Sequence, residues 1–317
     1  MTNGWWKSKP VCTSPRHTLV ERVIEAARNG LIDEVKQCVD EGKFHVDSKN
    51  KFGNTALMKA ASTGQKEVCE FLIAKGCNTG IQDNNGDTAL IVAAWNGKKE
   101  ICQLLIANGC DINKRDNNGY TAMILAACWN HQEVCELLIA NGCDVNIKDR
   151  NGCTALILAA ASSRKEICEL LLSKGSNADT RSKDCFTALI LAASWGHQEI
   201  CESLVSRGCN LDSTDKNGST ALILAARSGH KEVCGLLLSN GCNIDAQNNV
   251  GYSALIAAAY CEQIPIMISL IEAGCDYSLK DKKCKSAMDY LKEKHSNKIE
   301  DVQVSHLVTI CYLLFIH

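Results

Sequence analysis

The amino-acid sequence predicts an all-α solenoid built from stacked helix-turn-helix units. A period of 33 residues runs without insertion or deletion from Lys51 to Asp281, which is typical of a repeat protein. Each period holds two short segments with apolar residues at helical spacing. Only 3 prolines and 5% aromatic residues occur among 317 residues, which favours helices over a β-sandwich. Two helices of about ten residues cannot bury their apolar faces alone, so neighbouring units are expected to stack.

The first helix of each unit is marked by the tripeptide Thr-Ala-Leu or a close variant. This marker begins at Thr55, Thr88, Thr121, Thr154, Thr187, Thr220 and Ser253. A threonine or serine hydroxyl can accept a hydrogen bond from an unpaired amide at the start of a helix. The residues that follow, such as Ala-Leu-Ile-Val-Ala-Ala-Trp after Thr88, are mostly good helix formers. The sequence therefore predicts a short helix directly after each marker, ended at Gly97 in the second unit.

The second helix of each unit carries the motif Glu-(Val/Ile)-Cys. In the second unit it is expected from Lys99 to Asn108, with Ile101, Cys102, Leu105 and Ile106 on one face. A glycine closes the helix in each unit, at Gly76, Gly109, Gly142, Gly175, Gly208, Gly241 and Gly274. Asp-Asn-Asn-Gly or a similar tetrapeptide then predicts a turn between units.

Three segments of the sequence match a known repeat signature. They are Thr-Ala-Leu-Ile-Val-Ala-Ala from Thr88, Gly-His-Lys-Glu-Val-Cys from Gly229, and Gly-Cys-Asp-Val-Asn from Gly142. This pattern resembles the ankyrin repeat over roughly Thr18 to Asn297. Alanine stands where the family has proline at the first helical position, and isoleucine or methionine replaces the signature histidine. Apolar packing is therefore expected in place of histidine-centred hydrogen bonds between repeats.

The domain organisation follows from the limits of the repeat. We expect a flexible N-terminal tail over 1–17, a degenerate capping repeat over 18–50, seven repeats over 51–281, a partial C-terminal capping repeat over 282–297, and a tail over 298–317 with an apolar end. The seven repeats are 51–83, 84–116, 117–149, 150–182, 183–215, 216–248 and 249–281.

Composition and targeting signals limit the partner and the compartment. Lys and Arg number 34 against 36 Asp and Glu, so the chain lacks the basic surplus expected of a nucleic-acid-binding protein. No secretory signal is evident near the start, which predicts a cytoplasmic or nuclear protein whose cysteines stay reduced. The apolar segment from Leu307 to Ile316 is too short to span a bilayer, and no membrane span is expected in the repeats.

Cysteine is the most conspicuous candidate for chemistry, with 20 in the chain. Twelve fall in two repeat positions: Cys69, Cys102, Cys135, Cys168, Cys201 and Cys234 in one, Cys77, Cys110, Cys143, Cys209, Cys242 and Cys275 in the other. Equivalent positions in stacked helices lie about 8–10 Å apart, too far for a disulfide. We therefore expect these thiols to be small core side chains, with no metal site and no cofactor.

Other motifs are weak. His-x-x-x-Cys at His131, His197 and His230 places an imidazole near the rim and a thiol toward the core, without four ligands in one place. The Asp-Asn-Asn-Gly segments lack the spaced acids of a calcium loop and are interpreted as turns. No catalytic motif is recognised, so no catalytic residues are predicted.

The resemblance to ankyrin repeats implies that the recognition surface is the concave side, formed by turn tips and the exposed ends of the first helices. Large aromatic residues map there: Phe52, Trp95, Tyr120, Trp129, Phe186, Trp195, Tyr252 and Tyr260. Basic residues lie among them: Lys51, Arg115, Lys148, Arg150, Arg181, Lys183, Lys216, Arg227 and Lys280. They suggest a partner protein with an acidic surface.

The leading hypothesis for function is a non-catalytic scaffold or adaptor, monomeric alone, that binds another protein along this concave face. One alternative is a regulatory ankyrin-repeat fragment of a larger enzyme or membrane channel. A second alternative is a thiol or zinc sensor.

Overall fold

The predicted all-α repeat fold is confirmed in a computed structural model that describes residues 15–295. Within those residues all regular structure is helical, and the only β pairing is an isolated bridge between Thr214 and Thr220. Residues 1–14 of the predicted N-terminal tail and the whole predicted C-terminal tail, 298–317, lie outside the described residues.

The helices alternate in pairs along the chain. Each repeat begins with a first helix: α3 (Ala56–Thr63), α5 (Ala89–Trp95), α7 (Ala122–Cys128), α9 (Ala155–Ala161), α11 (Ala188–Ser194), α13 (Ala221–Ser228) and α15 (Ala254–Tyr260). Each ends with a second helix: α4 (Lys66–Ala74), α6 (Lys99–Ala107), α8 (Gln132–Ala140), α10 (Lys165–Ser173), α12 (Gln198–Ser206), α14 (Lys231–Ser239) and α16 (Ile264–Glu272). The flanking helices are α1 (Pro15–Arg28), α2 (Ile32–Asp40) and α17 (Ala287–His295).

The first helices begin where the Thr-Ala-Leu markers predict. In α5, for example, the backbone N–H of Ile91 donates to Thr88 Oγ1 at 3.3 Å. Ser253 caps α15 in the same way, since Ile256 N–H donates to its hydroxyl at 3.3 Å. The cap satisfies one of the amides that a helix leaves without an intrahelical partner, which fixes the first residue of the helix.

The first helices end at a left-handed backbone position. Glycine occupies it after α3, where Gly64 has φ of 83°. In three repeats, however, the same position holds Asn130, Ser163 or Glu262 with φ between 59° and 65°. Residues with a Cβ adopt this conformation at a cost of roughly 1–2 kcal/mol, so the repeat geometry persists there despite unfavourable local chemistry.

The described residues form two compact units, one reaching Ala126 with Ala140–Cys143 added, the other comprising Ala127–Ile139 and the chain from Asp144 onward. In the first unit α1, α3 and α5 pack in succession, as do α2, α4 and α6. In the second unit the series are α9, α11, α13, α15 and α17, and α10, α12, α14 and α16. The repeats in these series thus bury apolar faces against their neighbours within the unit.

The core of both units combines small and large apolar side chains. Paired alanines such as Ala60 and Ala61 are completely buried and let the first helices approach closely. Leu105 and Leu171 in the second helices are also fully buried. A leucine withdrawn from water contributes about 1.5–3 kcal/mol, so these repeated positions supply much of the driving force for stacking.

The N-terminal helix begins before its predicted boundary, and the C-terminal helix lies within the predicted capping repeat. Helix α1 begins at Pro15, inside the segment predicted as a tail, because proline fits the first turn of a helix where no amide hydrogen is needed. At the other end Ser286 and Asp289 cap α17 reciprocally. Asp289 N–H donates to Ser286 Oγ at 3.3 Å, and Ser286 N–H donates to Asp289 Oδ2 at 2.8 Å.

Candidate functional site

The turn tips between repeats are held by side chains at their first position. Asp116 Oδ1 accepts the backbone N–H groups of Asn118 and Tyr120 at 2.8 and 2.7 Å. Asp215 does the same for Asn217 and Ser219, both at 2.8 Å. These carboxylates are therefore engaged in turn formation, which explains why the tips resemble a calcium loop only in composition.

Successive tips are joined to one another by single backbone hydrogen bonds. In the first unit Asn84 N–H donates to Phe52 O at 3.1 Å, and in the second unit Asn249 N–H donates to Asn217 O at 2.8 Å. These bonds hold neighbouring tips in register. Side chains at the tips and at the ends of the first helices are thereby presented side by side within each unit.

The predicted aromatic residues divide between the two units. Phe52, Trp95 and Tyr120 belong to the first unit, and Trp129, Phe186, Trp195, Tyr252 and Tyr260 belong to the second. Five of them are exposed, namely Phe52, Trp95, Trp129, Trp195 and Tyr260, whereas Tyr120, Phe186 and Tyr252 are half-buried. The half-buried residues stand directly before the threonine or serine that caps the next first helix.

The second unit contains a groove of about 590 Å³ between the tips and the first helices. Its aromatic and apolar lining is Phe186, Leu191, Trp195, Ile223, Leu224, Val250, Tyr252, Ala257 and Tyr260. Trp195 is 64% exposed and Val250 54%, so the apolar surface faces solvent. Arg227 lines the same groove, and its side chain makes no hydrogen bond or ion pair with another residue between 15 and 295. The groove is therefore apolar with a cationic group on its wall.

Three tyrosines form a cluster at one end of this groove. The ring centroids of Tyr252, Tyr260 and Tyr290 lie 5.4 to 5.8 Å from one another. The hydroxyl of Tyr290 donates to Asp281 Oδ2 at 2.6 Å and lies 3.1 Å from the hydroxyl of Tyr252. Burial and the bond to the Asp281 carboxylate raise the pKa of Tyr290. Tyr252 and Tyr260 thus pack against the C-terminal helix while also lining the groove.

A smaller groove of about 360 Å³ lies in the first unit. Phe52 and Trp95 provide its exposed aromatic surface. The remaining lining is polar: Asn54, Lys59, Ser62, Asp83, Asn84, Asn85, Asp87 and Asn96, with Val92. Trp129 lines neither of the two grooves.

Two of the basic residues predicted as partner contacts, Arg115 and Arg181, also donate hydrogen bonds to backbone carbonyls of the chain itself. Arg115, Lys148 and Arg181 share one repeat position, in which Gln82 and Gln247 also stand. Arg181 Nη2 donates to the carbonyl of Thr214 at 2.6 Å, one repeat further on. The side-chain amide of Gln82 reaches the carbonyl of Arg115 at 2.9 Å in the same way. This position therefore links repeats. Arg150, Lys148 and Arg115 are exposed, and Arg115 Nε also donates to Gly119 O at 3.4 Å.

The cysteines of the first repeat position lie in the core, as the sequence predicts, whereas those of the second position are buried at Cys77, Cys209 and Cys275 and half-buried at Cys110, Cys143 and Cys242. Cys69, Cys102, Cys135, Cys168, Cys201 and Cys234 have no exposed surface. Burial raises the pKa of Cys102 to about 12, so its thiol stays protonated and is a poor nucleophile and a poor ligand. Among residues 15–295 no three His, Cys, Asp or Glu side chains form a group that could hold a metal ion. His230 lies at the rim, with Nε2 3.1 Å from the carbonyl of Ser194.

Comparison with known proteins identifies the repeat. A family model described as ankyrin repeats in three copies matches residues 23–116, 75–149, 96–184, 123–215 and 189–281. The chain belongs to the ankyrin-repeat family. Ankyrin repeats are in general modules for protein–protein interaction and are generally non-catalytic.

A curated relative agrees with this assignment over a short region. The ankyrin repeat domain-containing protein oryK of Aspergillus oryzae is 41% identical over 61 residues, which are 19% of this chain and 10% of that protein. This chain therefore spans only a small part of the relative's length, and the likeness concerns the ankyrin repeats. No helix between residues 15 and 295 has the length and apolar character needed to cross a membrane.

Two features of the grooves were not predicted as parts of the site. Val250, 54% exposed at a tip, belongs to the groove of the second unit, and its repeat position also holds the predicted residue Phe52. Asp87 is buried in the groove of the first unit. Alignment of the repeats would have found Asp87, because it is the only carboxylate at a position otherwise filled by Asn54, Tyr120, Cys153, Phe186, Ser219, Tyr252 and Lys285.

Proposed function

We propose that this ankyrin-repeat chain is a non-catalytic adaptor that binds another protein through its turn tips and first helices. The principal contact is the groove of the second unit. The observation that carries the proposal is the exposed aromatic surface of Trp195 and Tyr260 beside Val250. Contiguous exposed apolar surface with tryptophan and tyrosine is characteristic of protein-binding sites, because these side chains dominate interface energetics.

The charge of the groove favours a partner with an acidic group. Arg227 has no counter-ion among residues 15–295, and Asp215, which also lines the groove, uses Oδ1 to hold the turn. A carboxylate of the partner would form a charge-assisted hydrogen bond with the Arg227 guanidinium. Such a bond beside an apolar anchor fixes orientation as well as affinity.

The proposed setting is a reducing compartment, the cytoplasm or the nucleus, with the chain monomeric when alone. All cysteines between residues 15 and 295 are free thiols, which fits such a compartment. The burial and raised pKa values of core thiols such as Cys102 and Cys168 favour packing over the alternative of a thiol or zinc sensor.

The test compares two exposed aromatic residues of the second unit. Trp195 lines the groove, whereas Tyr277, 43% exposed, does not. Proteins retained by the immobilised wild-type chain should be retained by Tyr277→Ala and lost by Trp195→Ala, with the affinity for the isolated partner reduced about fivefold to several hundredfold. Both variants should unfold at the wild-type temperature. A partner that binds all three proteins equally would refute the assignment of the groove.

A further inference from the structure

Asp87 is a largely buried residue whose carboxylate keeps some contact with solvent in the groove and has no protein partner among residues 15–295. Only 9% of its surface is exposed, and its side chain makes no hydrogen bond or ion pair with any residue between 15 and 295. Its backbone groups pair with Asp83: Asp87 N–H donates to Asp83 Oδ1 at 3.0 Å, and Asp83 N–H donates to Asp87 O at 3.0 Å. Buried carboxylates are normally hydrogen-bonded or paired, because desolvation of an isolated charge is costly.

The fold does not require a carboxylate at this position. The equivalent residues Asn54, Ser219 and Tyr252 end tips with the same hydrogen-bond pattern, each donating its backbone N–H to the first side chain of the turn. Asn54 is the closest match to Asp87 in shape. The negative charge of Asp87 is therefore a feature of this repeat alone, placed in the groove of the first unit.

The charged groups around Asp87 leave the groove negative. Asp83 lines the groove and Asp116 lies in the following tip; together with burial they raise the pKa of Asp87 to about 6. Lys59 is the one cationic residue in the lining, and it forms no ion pair with a carboxylate among residues 15–295. Above pH 6 the groove thus holds an ionised, uncompensated carboxylate.

Two aromatic side chains flank this carboxylate. Phe52 is 58% exposed and Trp95 45%, and both line the groove. The ring of Phe52 already attracts a cation of the chain itself, since Lys51 Nζ lies 4.9 Å from its centroid. Trp95 presents the larger ring, and tryptophan is the strongest partner in cation–π contacts.

We propose that the groove of the first unit binds an arginine side chain of the partner, with Asp87 as its counter-ion and Trp95 as its stacking surface. A guanidinium can donate two parallel hydrogen bonds to a carboxylate and stack its plane on an aromatic ring at the same time. The inference rests on the proposed function, because it assigns a basic residue to the partner protein. The two grooves would thus bind partner groups of opposite charge: a basic side chain in the first unit, and an acidic group beside Arg227 in the second.

The test uses N-acetyl-arginine amide as the probe and N-acetyl-citrulline amide as its uncharged isostere. Binding to the full chain is followed by the indole N–H resonance of Trp95 and the carboxyl carbon resonance of Asp87. We expect saturable shifts for the arginine probe with a dissociation constant in the roughly millimolar range that small ligands reach. The citrulline probe and the variant Asp87→Asn should each weaken binding about tenfold or more.

Two controls keep the test decisive. Asp184→Asn removes an exposed carboxylate at a tip of the second unit and should leave arginine binding unchanged. In the wild-type chain, binding should weaken about tenfold from pH 8 to pH 5, since most of Asp87 is protonated at the lower pH. This second measurement needs no variant.

The outcomes separate this inference from the proposed function. Equal binding of arginine and citrulline, absence of binding, or unaltered binding to Asp87→Asn would overturn the arginine site, whatever Trp195 does. Conversely, arginine binding that depends on Asp87 would support the site even if Trp195→Ala still bound every partner. In that case only the assignment of the second groove would fail.

Discussion

Replacing Ser176 with cysteine or alanine should stabilise the protein. Between residues 15 and 295, Ser176 Oγ is the one buried side-chain oxygen or nitrogen without a hydrogen-bond partner. The residue is 8% exposed and occupies the repeat position that holds Cys143 before it and Cys209 after it. Burying an unpaired hydroxyl costs about 1–3 kcal/mol, which a thiol or a methyl group largely avoids.

The size of the effect follows from this environment. Burial raises the pKa of Cys209 to about 11, so the equivalent site one repeat later is apolar enough to favour a neutral side chain. We expect Ser176→Cys to increase the free energy of unfolding by about 1–2 kcal/mol, and Ser176→Ala by somewhat less. The reciprocal change Cys209→Ser should lower it by a similar amount.

Chemical denaturation followed by circular dichroism measures these changes. The urea midpoint should rise for both Ser176 variants and fall for Cys209→Ser, with unchanged slopes. If Ser176→Cys leaves the midpoint where it is or lowers it, the hydroxyl has a partner in solution and the reasoning from burial is refuted.

Three further predictions concern single residues. Ser163→Gly should stabilise the fold by about 0.5–1 kcal/mol, because Ser163 has φ of 59°; an unchanged thermal midpoint would contradict this. Asp87→Asn should stabilise by about 1–3 kcal/mol at pH 8, since the folded pKa of about 6 exceeds the reference value of 3.8. In the wild-type protein this destabilisation develops as the pH rises from 3.8 through 6 and is absent below pH 3.8. The free energies of unfolding of the two proteins should therefore converge below pH 3.8. Tyr290→Phe removes the 2.6 Å bond to Asp281 and should speed amide exchange in α17, consistent with a loss of about 1–3 kcal/mol; exchange at the wild-type rate would contradict the role of this bond.

The fold could be predicted because the same signals for helix starts, helix ends and core positions recur in successive repeats. The hydroxyl of Thr88 caps α5, and Cys102 lies in the core, as expected from their places in the 33-residue register. Helix propensity, capping and apolar spacing all agree at these positions. Agreement at several levels is what makes a sequence specify one structure.

The grooves were harder to predict because they depend on distances between residues far apart in the chain. Tyr290 lies 38 residues after Tyr252, yet their hydroxyls are 3.1 Å apart, and no periodicity signals this pair. The sequence assigns Arg181 to the partner surface because it is basic and lies among the aromatic residues, but it does not reveal that the guanidinium also donates to the carbonyl of Thr214. The missing partner of Asp87 likewise becomes visible only when every neighbour is placed.

Hydrogen–deuterium exchange of the chain with and without its captured partner tests the central claim most directly. The account predicts slower exchange at the tips and first helices that line the groove of the second unit, around Trp195, Arg227 and Val250. The second helices α12 and α14 of the same repeats should exchange at unchanged rates. Protection confined to those second helices, with none at the tips, would show that the partner binds a different face and would contradict the proposed function.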